Sequence, residues 1–291
     1  MAKLAEQLER KAFSAAIDVA LRRINKDREK GLLEIVDLTE KFMGDNFTKE
    51  AYEGARAMIK NPDHKWMRYV NRLLDETDPH VAKMTALNLG YQAAFYGTKT
   101  IRKMREVHDC NIPWLILMDP TSACNLHCTG CWAAEYGHKL NLTFEELDSI
   151  VTQGKELGIY FYMMTGGEPL VRKADVIKLC EKHNDVAFHC YTNGTLIDQA
   201  FCDEMKRVGN LSLSISLEGF EDTNDFRRGD GVYAKVLHAM DLLHENGLLF
   251  GNSVCYTRKN MDAVTSDEFF DLLIEHGSRF AWYFHLMPVG M

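Results

Sequence analysis

Beyond residue 111 the sequence alternates between short apolar runs and longer amphipathic segments, and this alternation restricts the possible folds more than any other feature. The short runs are rich in β-branched and aromatic residues, as strands require, whereas the longer segments have helical periodicity. Thr143 and Glu146 form a capping box at the start of one such segment. Alternating strands and helices build a parallel sheet through right-handed crossovers. The predicted strands cover residues 114–118, 159–164, 186–191, 211–217, 249–256 and 280–286, and the predicted helices cover 143–157, 174–183, 198–208, 233–246 and 266–276.

Residues 1–111 have a different pattern, in which apolar residues recur at spacings of three and four. This periodicity gives the buried stripe of a helix, and similar stripes follow one another through the region. We expect about five helices joined by short turns. The expected turns lie at Gly31 and at residues 44–46, 61–62 and 78–79. The sequence therefore predicts an all-α region at residues 1–111, without a recognisable catalytic motif, and an α/β region at residues 112–291.

Charge and hydropathy exclude several classes of partner. With 34 basic and 42 acidic residues the formal net charge is -8, so the basic excess of a nucleic-acid or anionic-membrane surface is missing. No segment resembles a signal peptide, and the longest apolar stretches, such as residues 112–118, are too short to span a bilayer. We therefore expect a cytoplasmic protein with neither nucleic acid nor membrane as a partner.

The segment CNLHCTGC places Cys124, Cys128 and Cys131 within eight residues. In a reducing compartment such thiols are more typical of metal ligands than of disulfides. Structural zinc prefers four ligands, commonly two short pairs, and the sequence has no second Cys-x-x-Cys or His-x-x-x-His pair. An iron–sulfur cluster of four irons needs thiolates close together, and three thiolates leave one iron open. A cluster is favoured and zinc stays as an alternative. We expect the other cysteines in apolar segments to be ordinary small buried hydrophobic residues; they are Cys180, Cys190, Cys202 and Cys255.

The unusual polar motifs share one position, at the carboxyl ends of the predicted strands. In parallel sheets, whether open or closed into a barrel, reactive groups lie at these ends. Structural glycines and turns, by contrast, would be scattered over both ends. The motifs are the cysteine loop after the first strand, residues 166–169 after the second, 192–194 after the third and 216–219 after the fourth.

The C-x-x-x-C-x-x-C spacing of CNLHCTGC, followed by GGEP after the next strand, resembles the radical S-adenosylmethionine (radical SAM) superfamily. The resemblance covers residue 112 to the end of the sequence. It implies an α/β fold with a partial (βα)6 TIM-like barrel, preceded here by the all-α region. It further implies that Cys124, Cys128 and Cys131 bind three irons of a 4Fe-4S cluster and that SAM binds the fourth iron.

The same resemblance implies which residues contact SAM. Gly166, Gly167 and Glu168 match the glycine-rich stretch that hydrogen-bonds the methionine amino group. Ser216 and Glu218 stand where members hold the ribose hydroxyls, although Glu218 fits a turn equally well. For the SAM carboxylate we prefer Arg228 to Arg227, and a solvated basic turn is the alternative for this pair. The expected cofactor-binding residues are thus Gly166, Gly167, Glu168, Asn193, Ser216, Glu218 and Arg228.

Two features depart from the family pattern. Gly130 stands directly before the third cysteine, where members usually carry an aromatic residue, and Trp132 follows that cysteine. The fifth predicted strand lacks the glycine-isoleucine-glycine pattern of some members. No adenine contact is therefore assigned, and no catalytic residue either. Candidates near the barrel mouth for substrate contact are Tyr191, Asn193, Tyr256, Arg258, His285 and the turn at Pro288.

The activity that the resemblance implies begins with an electron from a low-potential donor such as flavodoxin or ferredoxin. Reductive cleavage of SAM then gives methionine and a 5'-deoxyadenosyl radical, which abstracts hydrogen from an unidentified substrate, of which a peptide or protein is one candidate. An open iron should make the cluster sensitive to oxygen, so we expect the protein to function under anaerobic conditions. The alternatives are an iron–sulfur electron-transfer or structural protein on the same fold, and a zinc-binding interaction module.

Similar members often carry a C-terminal auxiliary-cluster (SPASM-type) domain, which has no counterpart in this sequence. Ending at residue 291 would leave the edge of the last strand and the lower side of the barrel uncovered. We therefore expect a C-terminal truncation. For the helical region three roles stay open, namely a partner-docking surface, a dimer contact and a lid over the barrel.

Overall fold

A computed structural model describes residues 2–43, 47–133, 137 and 139–287, with side chains described from residue 7 onwards except at 42 and 43. Its amino-terminal part is helical. The segments are α1 (Ala2–Ile24), α2 (Arg28–Met43), α3 (Lys49–Ile59), α4 (Lys65–Glu76), α5 (Pro79–Thr85), a π-helical segment (Ala86–Gly97) and α6 (Thr98–His108). Because the last three are continuous, the described residues form five helical rods here, as the sequence predicts. None of the described helices is both long and apolar enough to cross a lipid bilayer.

The break predicted at Gly31 is wrong. Residues 25–27 separate α1 from α2, and Gly31 lies inside α2. A Cβ at Gly31 would lie 2.6 Å from the backbone nitrogen of Ile24, so glycine is needed for the close approach of two helices rather than for a turn. The turns predicted at 61–62 and 78–79 do separate helices, and the one predicted at 44–46 lies outside the described residues.

Six parallel strands form the second part of the molecule, in the order of the sequence. They are β1 (Ile116–Thr121), β2 (Phe161–Gly166), β3 (Ala187–Thr192), β4 (Leu211–Ser216), β5 (Phe250–Tyr256) and β6 (Ala281–His285). Each strand pairs in parallel with the next. The predicted α/β fold with its preceding helical region is therefore confirmed.

The crossovers between the strands are helical. They contain α7 (Phe144–Glu156), a 3₁₀ turn (Pro169–Arg172) leading into α8 (Lys173–Lys182), α9 (Gln199–Val208), α10 (Glu221–Arg228), α11 (Val232–Glu245), α12 (Met261–Val264) and α13 (Asp267–Glu275). The hydrophobic periodicity did not predict α10 and α12. Helix α10 has the sequence EDTNDFRR, which offers almost no apolar stripe to indicate a helix.

The helical region packs against the amino-terminal ends of the barrel strands. The backbone N–H of Asp78 donates to the carbonyl of Gly247, which precedes β5, at 2.8 Å. Gly158 precedes β2, has φ +94°, and leaves no room for a side chain against the carbonyl of Gly97. The helices therefore cover the lower side of the barrel, contrary to the expectation that it is bare, and this position is inconsistent with a lid over the mouth. A division at residues 111 and 112 remains a prediction, since one hydrophobic cluster includes side chains from both regions.

Candidate functional site

The cysteine loop follows β1 and is held by its own backbone. The thiols of Cys124, Cys128 and Cys131 are all half-buried. The N–H of Leu126 donates to Cys124 Sγ at 3.4 Å, and the N–H of Cys131 donates to the carbonyl of Cys128 at 3.2 Å. Burial raises the pKa of the Cys124 and Cys128 thiols, and Arg228 and Arg227 partly oppose this for Cys128. Such thiols become thiolates when a metal replaces their protons.

Among the described residues no three His, Cys, Asp or Glu side chains converge on a point that could hold a single metal ion. In a four-iron cluster, by contrast, each thiolate binds its own iron, so convergence on one point is not required. Gly130 has φ +68°, which favours glycine and explains why an aromatic residue does not stand before the third cysteine. Trp132 is 44% exposed just after the loop.

The predicted glycine-rich stretch packs against the start of the cysteine loop. Gly166 has φ +111°, and a Cβ there would lie 2.5 Å from the carbonyl oxygen of Thr121. A Cβ at Gly167 would overlap the carbonyl oxygen of Ala123. The N–H of Gly167 donates to Thr121 O at 2.9 Å, and the N–H of Glu168 donates to Ala123 O at 2.8 Å. These glycines thus allow the end of β2 to dock on the backbone that leads into the cysteines.

Glu168 is a buried carboxylate with three donors from its own chain. It is 1% exposed. Oε1 accepts from the N–H of Leu170 at 2.9 Å and the hydroxyl of Thr192 at 2.7 Å, and Oε2 accepts from the N–H of Asn193 at 2.7 Å. Burial raises the pKa of this carboxyl, and these hydrogen bonds oppose the shift. A carboxylate has about four lone-pair positions, so one acceptor position remains for a ligand.

Asn193 joins the end of β3 to the cysteine loop. Its Nδ2 donates to Oδ1 of Asn125 at 2.8 Å, and its Oδ1 accepts from the backbone and the hydroxyl of Thr195. Asn125 in turn donates to Thr195 Oγ1 at 2.8 Å. Because Asn125 follows Cys124 directly, this network fixes the position of Cys124. The structure thereby gives Asn193 a positioning role; a direct cofactor contact by this residue stays a prediction.

Glu218 forms a buried ion pair with two arginines at the end of α10. The guanidinium of Arg228 is bidentate to Glu218, with Nη2 to Oε1 at 2.7 Å, and Arg227 Nη1 reaches Oε1 at 2.9 Å. The side chains of Glu218 and Arg228 are only 1% and 9% exposed. The pKa of Arg228 is raised by this carboxylate despite burial. The alternative of a solvated basic turn at the arginines is therefore wrong, whereas the turn at Glu218 stays open, because Gly219 after it has φ +108°.

The two arginines differ in the donors that they leave free. Arg228 directs Nη1 at Cys128 Sγ, at 3.9 Å, and uses its other side for Glu218. Within the described part of the chain, Nε of Arg227 is buried without an acceptor. The carbonyl of Arg227 accepts from the N–H of Thr129, in the cysteine loop, at 2.8 Å. Arg227 thus offers an anionic ligand a spare donor, whereas sequence reasoning preferred Arg228.

The inner face of the sheet carries Tyr191, which is one of the predicted mouth candidates, and further polar and aromatic groups that sequence reasoning did not assign. His189 accepts or donates at both ring nitrogens, to Ser212 Oγ at 2.8 Å and Ser214 Oγ at 2.9 Å, and burial lowers its pKa to about 4. The rings of Tyr191 and Phe284 lie 5.9 Å apart across the barrel. These contacts come from long-range packing, so no local motif announces them.

Asp119 lies at the end of β1 on the same side. If Gly166 carried a Cβ, that atom would lie 3.0 Å from the Cβ of Asp119. Partial burial raises its pKa, and within the described residues it has no hydrogen bond or ion pair. Ser216, the predicted ribose contact, is half-buried at the end of β4. Cys255 is half-buried rather than buried, and its surroundings include Arg227, Glu218 and Cys131.

Of the remaining predicted substrate-contact residues near the barrel mouth, two form a pair and one lies at the surface. Tyr256 and His285 stack on each other with ring centroids 4.5 Å apart. Arg258 is exposed, and Pro288 lies outside the described residues. The structure therefore brings the cysteine loop, Glu168, Ser216 and the Glu218 cluster together at one end of the barrel, and it leaves Arg258 at the surface.

Comparison with known proteins agrees with this geometry. A family model described as the radical SAM superfamily matches residues 118–273, more than half of the chain. An AdoMet-dependent heme synthase from Methanosarcina barkeri is 27% identical over 186 residues, which are 62% of this chain and 52% of the relative. A GTP 3',8-cyclase from Alkaliphilus oremlandii is 32% identical over 183 residues, 58% of this chain and 55% of the relative. The chain spans about half the length of these curated relatives.

Solved structures show the same fold. SuiB of Streptococcus suis bound to S-adenosylmethionine superimposes with a TM-score of 0.57 at 19% identity, over 82% of this chain and 54% of the other. The anSMEcpe protein with bound AdoMet and a Cp18Cys peptide gives 0.51 at 21% identity, over 60% of this chain and 50% of the other. With the family model covering the barrel from β1 to α13, the chain belongs to the radical SAM superfamily.

Proposed function

We propose that this chain carries the core of a radical SAM enzyme and that Cys124, Cys128 and Cys131 hold a 4Fe-4S cluster at the mouth of the barrel. The superfamily uses such a cluster together with SAM. One observation carries the proposal. The end of β2 is hydrogen-bonded through Gly167 and Glu168 to the backbone that enters the cysteine loop. The three thiols and the glycine-rich stretch are therefore held in one rigid unit.

The residues present fit both groups. Three thiols are arranged along one loop, and two glycines let the end of β2 pack on the backbone that enters this loop, where an added Cβ would overlap carbonyl oxygens. When bound, the cluster and SAM supply reductive cleavage to a 5'-deoxyadenosyl radical that abstracts hydrogen from substrate. The donors and acceptors beside the loop fit the ends of SAM, which carry an ammonium, a carboxylate and ribose hydroxyls.

Each chain residue then has a separate task. Glu168 has one acceptor position left, and that position suits the SAM ammonium, whose burial without a partner would be costly. The spare Nε–H of Arg227 suits the SAM carboxylate, with Arg228 as the second candidate. Ser216 supplies a hydroxyl for the ribose. Asn193 and Asn125 hold the loop, and the Glu218 cluster holds α10 against it.

Asp119 is our candidate for a substrate contact, because it combines a free carboxylate with a position next to Gly166 on the inner face. The substrate itself is an organic molecule, and a peptide or protein is one candidate. Support for a peptide comes from the SuiB structure bound to precursor peptide SuiA and from the anSMEcpe peptide complexes. A low-potential flavodoxin or ferredoxin is the proposed electron donor.

The proposal is tested by anaerobic reconstitution with iron and sulfide, then SAM and dithionite, with chromatography for 5'-deoxyadenosine. The wild-type chain should form it, and Cys128→Ala should form none. Cys110→Ala is the matched control, because Cys110 is exposed at the end of the helical region. A cluster that forms without any cleavage of SAM would favour the electron-transfer alternative, and zinc binding in place of a cluster would refute the proposal.

A further inference from the structure

A large cavity lies at the base of the barrel, at the end opposite the cysteine loop. As the described residues form it, its volume is about 910 Å³. Its walls come from α1, α2, α4, the π-helical segment and the residues that precede β5 and β6. Representative lining side chains are Phe13, Ile35, Leu73, Tyr91, Leu249 and Phe280. The cavity is therefore built by the helical region and the barrel together.

The walls are hydrocarbon over most of their area. Arg279 also lines the cavity and is ion-paired with Glu76, a carboxylate to which Arg72 and His244 also bond, at 2.9 and 3.0 Å. Two other charged side chains, Glu9 and Lys99, line it from exposed positions at the rim and carry opposite charges. The cavity thus combines an apolar interior with a rim of no net charge.

A space of this kind needs an apolar occupant. Water is held in cavities by about two to four polar partners, and these walls offer only scattered ones, such as the side chains of Thr39, Thr77 and Thr85. Empty apolar space leaves its lining without dispersion contacts and costs stability in proportion to its volume. Ligand pockets have volumes of about 300–1,000 Å³ and are lined mainly by hydrophobic and aromatic side chains, as here. The walls stand on several sides of the space, which suits an inserted chain better than a flat partner surface.

We infer that this cavity binds the hydrocarbon chain of a lipid, acyl or isoprenoid, with the polar head at the rim beside Glu9 and Lys99. One charge of each sign at the rim favours no net charge on the head, so neutral and singly charged heads should bind alike. This site is separate from the cysteine loop and does not depend on the proposed radical chemistry. Phe280 connects the two ends, since its ring lies 5.8 Å from that of His189 on the inner face.

The test uses the full chain and cis-parinaric acid, a fatty acid that fluoresces in apolar surroundings. Wild type should give saturable fluorescence, and Ala16→Trp, which fills the cavity from α1, should weaken binding by at least about tenfold. Ala57→Trp is the matched control, because Ala57 is exposed on α3 and does not line the cavity. Ala94→Trp on the π-helical segment, which also lines the cavity, replaces Ala16→Trp if thermal melting shows that the latter is unfolded.

Competitors test whether the cavity accepts acyl and isoprenoid chains with different heads. Palmitate, hexadecan-1-ol and a prenyl alcohol should each displace the probe, with affinities for the first two within about threefold of each other. No saturable fluorescence in wild type, or equal binding by wild type and a folded cavity-filling variant, would overturn the inference. So would a stable dimer, seen by light scattering, that excludes the probe, because a second copy would then be the occupant.

Discussion

The two ends of the barrel are built on different physical principles. At the carboxyl ends of the strands, glycines, buried carboxylates and arginines hold a loop in place by directed hydrogen bonds. At the amino-terminal ends, helices close the barrel by apolar packing around a large cavity. Directed contacts fix positions to fractions of an ångström, whereas apolar packing tolerates changes of shape. The difference indicates that the first end is made for chemistry and the second for closure and ligand uptake.

The largest effect is expected from Glu218→Gln, which leaves two arginines in a buried site without their carboxylate. Breaking a buried ion pair from one side costs about 3–5 kcal/mol in the free energy of unfolding. Urea denaturation measures this loss. In the matched control Glu204→Gln, the partner is exposed Arg207, and the cost should stay below about 1 kcal/mol. Equal costs for both variants would remove the contrast between the two ends.

His189 should make the stability depend on pH through the inner face of the barrel. Its pKa is lowered from 6.5 to about 4 by burial, so the unfolded chain binds more protons between these values. The contribution of neutral His189 to the free energy of unfolding is complete above pH 6.5 and is lost as pH falls to 4. The total loss is about 3 kcal/mol. About 2 kcal/mol of this loss falls between about pH 7 and pH 5.

His189→Gln keeps a hydrogen-bonding side chain and is the control for this titration. Urea denaturation of both proteins at several pH values should show a shallower acid loss for the variant. Parallel pH profiles for wild type and variant would show that His189 does not titrate as its buried position requires.

Gly167→Ala should cost about 1–3 kcal/mol, because the added Cβ overlaps the carbonyl of Ala123. The same variant should retain less iron after reconstitution, since the cysteine loop is displaced. The control Gly54→Ala lies on α3, where a Cβ meets nothing within 4 Å, and should stabilise the chain by about 0.5–1 kcal/mol. The two substitutions would then change the free energy of unfolding in opposite directions. A Gly167→Ala variant with unchanged stability would show that the end of β2 does not pack tightly on the cysteine loop.

The smallest effect concerns the junction between the helices and the barrel base. Asp78 caps α5 by accepting from the N–H groups of His80 and Val81, at 2.8 and 3.3 Å, and it pairs with Lys206 at 3.0 Å. Asp78→Ala should cost about 1 kcal/mol in a thermal or urea unfolding measurement. Asp78→Asn retains the cap and should cost only a few tenths. If Asp78→Asn costs as much as Asp78→Ala, the ion pair to Lys206 rather than the cap holds the junction.

The sequence allowed prediction of the strands because buried parallel strands are continuous apolar runs. Their ends were less accurate. The first strand continues through Pro120, which lacks an N–H but is tolerated because β1 lies at the edge of the described sheet. Helix α10 was missed because its contacts to Glu218 are polar, so it needs no apolar stripe.

The candidate site was partly predictable for a similar reason. Cysteine spacing and the glycine-rich stretch are local signals, and both appear at the expected strand ends. The pairing of Arg227 with Glu218 and the link from Asn193 to Asn125 join positions far apart in sequence. The cavity depends on residues from many separate elements, none of which indicates it alone. The cysteine and glycine motifs can therefore be predicted from the sequence, whereas the long-range hydrogen bonds that hold them and the apolar cavity are visible only in the folded structure.

The most direct test of the central claim is electron paramagnetic resonance of the anaerobically reconstituted and dithionite-reduced chain, with and without SAM. We predict about four irons and four sulfides per chain, a reduced-cluster signal, and a change of that signal on adding SAM. Cys128→Ala should lose the signal and Cys110→Ala should keep it. A chain that binds zinc without a cluster, or a cluster whose signal SAM leaves unchanged, would contradict the account.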